Sequence, residues 1–386
     1  MELINVESVG IRPKLGTSCA SCTKCLSICP GYTVDGNLEI GPLPKQTPAD
    51  HEFGPALEIW EGYSTDPDIR FKASSGGLLS ALALYCLEKE GMKFVLHTGM
   101  DPAKPWLNLT VQSRSRGELL VRTASRYAPA SPCEGLGAIE KSDGPCVFIG
   151  KPCDTAAATM ARRQNPALDQ NLGLVLTFFC AGTPSTKGTL DLVGSLDVKL
   201  EDIKEVRYRG EGWPGRFKVR HGLPAQEQSY SYMESWGRLT SYRPLRCHLC
   251  PDGLGRVADI ACGDAWENLK EDGDPGRSIA IVRTRRGQEI LRRARDAEYV
   301  ELKRVDASTV FAAQPSLLGR RREIFGRFLG MRLLGVPTPQ FFEFTLFRSW
   351  IRLPLWQKVR TVLGTMRRIV QRGQFRKNAV FSERAS

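Results

Sequence analysis

Histidine is scarce. The chain has four in 386 residues, at 51, 97, 221 and 248, and none stands in a pattern that marks a catalytic acid/base pair. No unbroken apolar run approaches the roughly 18–20 residues that a membrane-spanning helix needs. The opening stretch, MELINVESVGIRPK, lacks a basic segment followed by an apolar core. No secretory signal is therefore expected, and the cytoplasm is the expected compartment. Acidic residues nearly vanish from the end of the chain. Residues 316–386 hold 15 basic and 3 acidic side chains, whereas residues 1–315 hold 39 of each. The net charge of +12 is thus a property of the tail, which points to an anionic partner or surface. At 41% apolar and 25% charged the chain is not disordered, and its length allows one large or two modest domains.

What the sequence has is cysteine: twelve, in a chain expected where disulfides are rare. Cys19, Cys22, Cys25 and Cys29, followed by Pro30, have the spacing C-x2-C-x2-C-x3-C-P. That is the bacterial ferredoxin run for a 4Fe–4S cluster, in which closely spaced soft thiolates on a short loop reach several irons. A zinc loop is the alternative. The radical-SAM spacing fails, because Tyr32 stands where a third cysteine would be needed. The fourth cysteine of such a run can serve a second cluster, which directs attention to the others. Cys247 and Cys250 form a second C-x2-C followed by proline. Cys153 follows the strand-like CVFIG and Cys180 ends the strand-like LVLTFFC, and cysteines at the carboxyl ends of two strands can face one crevice. These four would complete eight ligands for two cubanes. Which cysteine serves which cluster stays open. Cys86, Cys133, Cys146 and Cys262 read better as small buried apolar residues.

Between residues 55 and 200 helical and strand patterns alternate, which favours an α/β layer. Strands are expected at LEIWEGY, MKFVLHT, LNLTVQS, CVFIG and GLVLTFFC, then at IKEVRYR, FKVRH, QSYSYM and SIAIVRT. The loop Ser74-Ser75-Gly76-Gly77 opens a helix of about 14 residues that Gly91 ends, with Ser74 or Ser75 as its cap. Other helices are expected at 116–125, 154–164, 185–194 and 286–296. The 74–77 loop is a candidate phosphate site, since glycine lets an anion approach the free amides of a helix start. It matches neither the Rossmann nor the P-loop pattern, and a plain glycine turn is the alternative. Trp213, in the glycine-rich turn 209–215, lies against a cofactor or plugs the core. Residues 356–370 carry an apolar stripe of Trp356, Val359, Val362, Leu363, Met366, Ile369 and Val370 flanked by Lys and Arg. Such a helix lies on an anionic membrane surface or docks on the protein's own body. No nucleic-acid-binding module is visible, and nucleic acid is not the expected partner.

Several short motifs together resemble the beta-subunit family of deazaflavin-coenzyme (F-420) hydrogenases and dehydrogenases, which includes 7-hydroxymethyl chlorophyll a reductase. They are the run 19–30, Ser74–Gly77, Gly150-Lys-Pro-Cys153, Phe179–Gly182, Arg246–Asp252, Ala258–Asp264 and Ile281–Thr284, in family order. The resemblance implies an iron–sulfur oxidoreductase that carries FAD and two 4Fe–4S clusters. By analogy Ser74, Ser75, Gly76, Gly77, Lys151 and Pro152 would contact the flavin nucleotide. Cys153, Cys180, Cys247 and Cys250 would form the second cluster motif. The expected architecture is mixed α/β. A ferredoxin-type arm (1–55) would sit on an FAD-binding region (56–200), with a strand-rich region carrying the second cluster motif (201–315) and a basic helical tail (316–386). Expected partners are a ferredoxin or another redox protein and an anionic deazaflavin coenzyme or organic substrate. A non-catalytic electron-transfer subunit and a zinc-stabilised adaptor are the competing readings. No residue identifies itself as the catalytic acid.

Overall fold

The unbroken apolar runs have the character of strands covered on both faces. In the computed structural model, which describes residues 2–14, 23–37, 49–268, 274–371 and 373, that is where they lie. Cys146–Gly150, Leu172–Phe178 and Ile260–Asp264 are neighbours in an eight-stranded sheet. Its order is Val300–Val305, Glu58–Ser64, Ser278–Val282, Ile260–Asp264, Leu172–Phe178, Cys146–Gly150, Val95–Met100, Asn108–Ser113. The four strands from Ile260–Asp264 to Val95–Met100 run parallel, and the outer ones are antiparallel. Val147, Ile149, Leu174, Leu176 and Ile260 face the helices Leu78–Glu88 and Arg285–Asp296. Phe148 and Val175 face Ala158 and Leu168 on the other side. The parallel order sends the carboxyl ends of the central strands to one edge, where loops to the next element open a crevice.

A three-stranded antiparallel sheet, Gln226–Ser231, Arg216–His221 and Ile203–Arg207, packs Phe217 and Val219 beneath the helices Thr186–Gly194 and Tyr232–Leu239. The N-terminal arm is pinned to the body. Asn5 bonds Thr186 at 2.8 Å, and Thr33–Asp35 pairs in parallel with Gln340–Phe342 from the C-terminal region. The chain then ends in the helices Pro315–Leu333, Leu346–Ile351 and Leu355–Gln371. Among the described residues no helix is long and apolar enough to cross a membrane.

Several local expectations change, and the strand expected at QSYSYM ends at Ser231, where the capping Ser231 starts the helix Tyr232–Leu239. The helix after the 74–77 loop starts at Leu78, with Gly77 in a left-handed conformation (φ +75°) at its cap. Neither serine caps it. Ser74 Oγ accepts from Ser125 N at 2.6 Å, and Ser75 Oγ donates to Arg277 O at 3.1 Å, so both serines tie the loop to neighbouring segments. The edge strand Val300–Val305 was not expected from sequence. Only Val300 is buried, and its charged neighbours hide the alternating pattern while protecting the sheet edge.

Candidate functional site

A cavity of about 240 Å³ opens at the carboxyl edge of the parallel strands. Ser74, Ser75 and Gly77 line one part of it, Gly150 and Lys151 another, and Phe178–Thr183 a third. Gly76 does not line it. A Cβ there would come within 3.0 Å of Arg277 Cα, so this glycine serves the close passage of two backbones. With Gly76 and Gly77 both at positive φ, the loop delivers the first amides of an eleven-residue helix to the cavity.

Lys151 is placed by the strand Cys146–Gly150 and the helix Pro152–Arg162. Pro152 opens that helix, where its missing N–H costs nothing. Asp154, one turn in, accepts from Lys151 N at 3.0 Å and pairs with Nζ at 2.6 Å. Nζ also donates to Ala130 O at 3.2 Å. Burial alone would depress the ammonium pKa, but Asp154 outweighs it and holds Lys151 protonated. His97 lines the same cavity and shares a 2.8 Å hydrogen bond with Ser113 Oγ. Burial lowers its pKa to about 4, so the ring is neutral at ordinary pH.

At the Phe178–Thr183 side the cavity reaches Cys180. Cys180 feels the charges of Cys247 and Cys250, and Cys153 those of Cys250 and Cys180, so the fold gathers all four into one neighbourhood. Gly182 makes this possible. It has φ +121°, and a Cβ there would lie 2.7 Å from Arg243 Cδ and 3.2 Å from Cys247 Cβ. Thr183 N points at Cys247 Sγ, 3.4 Å away, and Gly253 O accepts from Cys180 N at 2.8 Å. Burial pushes Cys180 up to about 12 and Cys250 to about 11. Against that, Arg320 and Arg246 act on Cys250, Arg320 on Cys180, and Arg243 lies beside Cys247 and Cys180.

Four thiols within a shell of arginines fit an anionic iron–sulfur cluster, whose thiolates each need positive surroundings. Among the described residues no three His, Cys, Asp or Glu side chains converge as ligands of a single metal ion.

The ferredoxin-type run is described only in its second half. Cys19 and Cys22 lie outside the described residues. Cys25 is exposed on the short helix Lys24–Ser27, and Cys29 is half-buried just after it. A Cβ on Gly31 would lie 3.1 Å from Cys29 Sγ and 2.6 Å from Arg246 Nη1. The arm therefore meets the Cys247–Cys250 loop through Arg246. Cys86, Cys146 and Cys262 are buried in the core, as expected of small apolar side chains, whereas Cys133 is only half-buried.

Sequence reasoning missed the opposite wall. Arg209, fully buried, forms a two-pronged pair with Asp264 at 2.9 and 2.6 Å and donates to Ser74 O at 2.7 Å. Its guanidinium lies 4.7 Å from the Tyr232 ring centre, and Tyr232 stacks on Trp266 at 5.4 Å. Tyr127, Tyr232, Trp236 and Trp266 give the cavity an aromatic side, and burial raises the Tyr127 and Tyr232 phenols. Trp213 takes the core role. It is buried behind the wall, and its Nε1 donates to Asp264 Oδ1 at 2.8 Å. The sequence signals for this wall were the glycine-rich turn that carries Arg209 and Trp213 and the motif Ala258–Asp264.

Residues 59–136 match the family model described as coenzyme F420 hydrogenase/dehydrogenase, beta subunit N-term, and residues 145–308 match the companion model for the C terminus of that beta subunit. F420-dependent formate dehydrogenase 1 subunit beta of Methanococcus maripaludis is 25% identical over 256 residues, which are 64% of this chain and 61% of that protein. Coenzyme F420 hydrogenase subunit beta of Methanosarcina barkeri is 24% identical over 256 residues, covering 64% and 81%. A chain from the xenon-derivatized F420-reducing NiFe hydrogenase complex of Methanosarcina barkeri superposes with a TM-score of 0.58. That match covers 76% of this chain and 98% of the other, and at 20% identity it is a likeness of fold.

Proposed function

This chain belongs to the coenzyme F420 hydrogenase/dehydrogenase beta-subunit family, and from that premise we propose that it is an iron–sulfur flavoprotein subunit of an oxidoreductase. One observation carries the reading: a single cavity has a helix-start loop and Lys151 on one side and, on another, Cys180, the one of the four gathered cysteines that lines it. When bound, 4Fe–4S clusters supply single electrons and FAD converts them to a two-electron step.

The chain's own residues would divide the work. The amides following Gly76 and Gly77, with Ser74, Ser75 and Lys151, would bind the nucleotide of FAD, where Lys151 would share its ammonium between Asp154 and phosphate; Pro152, which does not line the cavity, would act by fixing the start of its helix. Tyr232 and Trp266 would flank a planar ring system from the aromatic side. Cys153, Cys180, Cys247 and Cys250 would hold a cluster beside it, with Arg243, Arg246 and Arg320 setting its electrostatic surroundings. Cys19, Cys22, Cys25 and Cys29 would hold an outer cluster on the 1–55 arm, where the exposed Cys25 faces an incoming electron donor. The regions 56–200 and 201–315 would then share one flavin layer, since the eight-stranded sheet takes strands from both.

Electrons would pass between a ferredoxin-like protein or partner subunit and an anionic deazaflavin coenzyme or organic substrate. The relatives are named as subunits, which favours a partner chain and keeps the non-catalytic electron-transfer reading as the second one. The test is an anaerobic absorbance spectrum of purified protein with iron, sulfide and flavin measured on the same sample. About eight irons and one releasable FAD per chain are expected from two cubanes and one flavin site. A colourless, zinc-loaded protein would overturn both redox readings. Turnover by the isolated chain with an artificial donor separates the enzyme from the electron-transfer subunit. Peripheral membrane contact rests on different residues, those of the C-terminal helices.

A further inference from the structure

We propose that the C-terminal helices form a docking face for an anionic lipid surface. The helix Leu355–Gln371 sits on Pro315–Leu333 along one flank of its apolar stripe, so that Ile369 is covered and the far flank is not. Its buried residues are Thr361, Thr365 and Ile369, one per turn. The approach is close because the supporting helix has glycines there. A Cβ on Gly326 would collide with Thr361 Oγ1, and one on Gly330 would lie 2.7 Å from Val362 O. The hydroxyls in this seam are satisfied: Trp350 Nε1 donates to Thr361 Oγ1 at 3.2 Å, and Thr365 Oγ1 donates to Thr361 O at 2.7 Å.

A small, partly polar seam leaves the large side chains outside. Trp356 is 59% exposed, Val359 48%, Leu363 56% and Val370 58%, against 1% for Ile369. Their spacing of i, i+3, i+7 and i+14 puts them on one ridge. Leu355 and, from the helix Leu346–Ile351, Phe347 and Ile351 are exposed as well. Arg348, Arg352, Arg360 and Arg367 are exposed on the same two helices and the short link between them. Glu323 and Glu343 are the acidic residues of the described part of 316–371, and Glu323 is already paired with Arg327 and Arg360.

An apolar ridge edged by arginines on a convex helix suits the headgroup boundary of a bilayer. There, buried apolar area and attraction to anionic lipids add, and no shaped pocket is needed. A globular partner would have to supply both a groove and matching carboxylates. The 15-to-3 excess of basic over acidic residues in 316–386 favours the surface that offers negative charge alone. This inference does not depend on the redox reading.

The test floats the full cofactor-loaded chain with vesicles of phosphatidylcholine, or of phosphatidylcholine mixed with phosphatidylglycerol. The chain is expected to float only with the anionic vesicles, less so as salt screens the charges. The double substitution Trp356→Ser/Leu363→Ser is expected to weaken partitioning about tenfold or more. The same loss is expected from Arg352→Glu/Arg367→Glu, with the unfolding midpoint of both variants unchanged. Absence of flotation, binding undiminished in the serine variant, or retention by an acidic protein without vesicle binding would each overturn the proposal.

Discussion

The two cysteine sets are built in opposite ways. Cys19, Cys22, Cys25 and Cys29 lie within eleven residues, so a local loop alone would suffice to bring them together. Cys153, Cys180, Cys247 and Cys250 span almost a hundred residues, and only the strand order, the left-handed Gly182 and the arginine shell make them neighbours. A local set depends on its own spacing, while a dispersed set depends on the global fold. Perturbing the body should therefore damage the dispersed set and spare the local one. Substituting ligands gives the sharpest form of the comparison. Cys180→Ser is expected to remove about half of the iron, leaving the magnetic resonance signal of one cluster, and Cys25→Ser to remove the other half. If either substitution empties both sites, the two sets are not independent.

The next largest effect comes from the wall facing the dispersed set. Arg209→Met would leave the half-buried Asp264 with Trp213 Nε1 but without its charged partner, and withdraw a donor from Ser74 O. Losing such charged hydrogen bonds costs about 2–3 kcal/mol, read as a lower urea midpoint. Iron of the dispersed set should be lost along the same transition. Bleaching of the local set at the same urea concentration would mean that the arm cannot hold its ligands without the body.

Acid offers a graded version of the same contrast. His97 is buried against Ser113 in the body, and its pKa is lowered to about 4 in the folded state. An unfolded histidine titrates near 6.5, so the unfolded chain gains a proton first as the pH falls. Above about pH 6.5 both states are neutral and His97 adds no pH dependence. Between there and about pH 4 the folded body loses up to roughly 3 kcal/mol, and the loss levels off below. His97→Gln should flatten that part of the stability profile. An unchanged profile would place the acid sensitivity elsewhere.

The same contrast explains what could be read from sequence. The local run, the central apolar strands and the basic tail carry their meaning in adjacent residues, so spacing and composition reveal them. Cys153 and Cys180 were placed as strand-end cysteines, but their meeting with Cys247 and Cys250 depends on a sheet order that no local pattern encodes. The pairing of Arg209 and Tyr232 with Asp264, the last residue of the Ala258–Asp264 motif, was missed for that reason, because each is ordinary until the fold brings them to one wall. The C-terminal helix shows the opposite failure. Its period was legible, but which face would be covered was decided by Gly326 and Gly330 on another helix.

The smallest expected effect tests the joint between the two sets. Gly31 lies between Cys29 and Arg246, and an added methyl would lie 2.6 Å from Arg246 Nη1. That nitrogen ends a flexible side chain, so Gly31→Ala should displace the guanidinium by a few tenths of an ångström and leave stability within about 0.5 kcal/mol. Iron content and the unfolding midpoint should stay as they were. Because Arg246 also faces Cys250, its shift should move the reduction potential of the dispersed set slightly, since charge near the thiolates tunes a cluster. A change in the potential of the local set alone would show that Arg246 belongs electrostatically to the arm. A loss of iron from the dispersed set would show instead that the arm is part of that site's structure, and that the two sets are one unit despite their different construction.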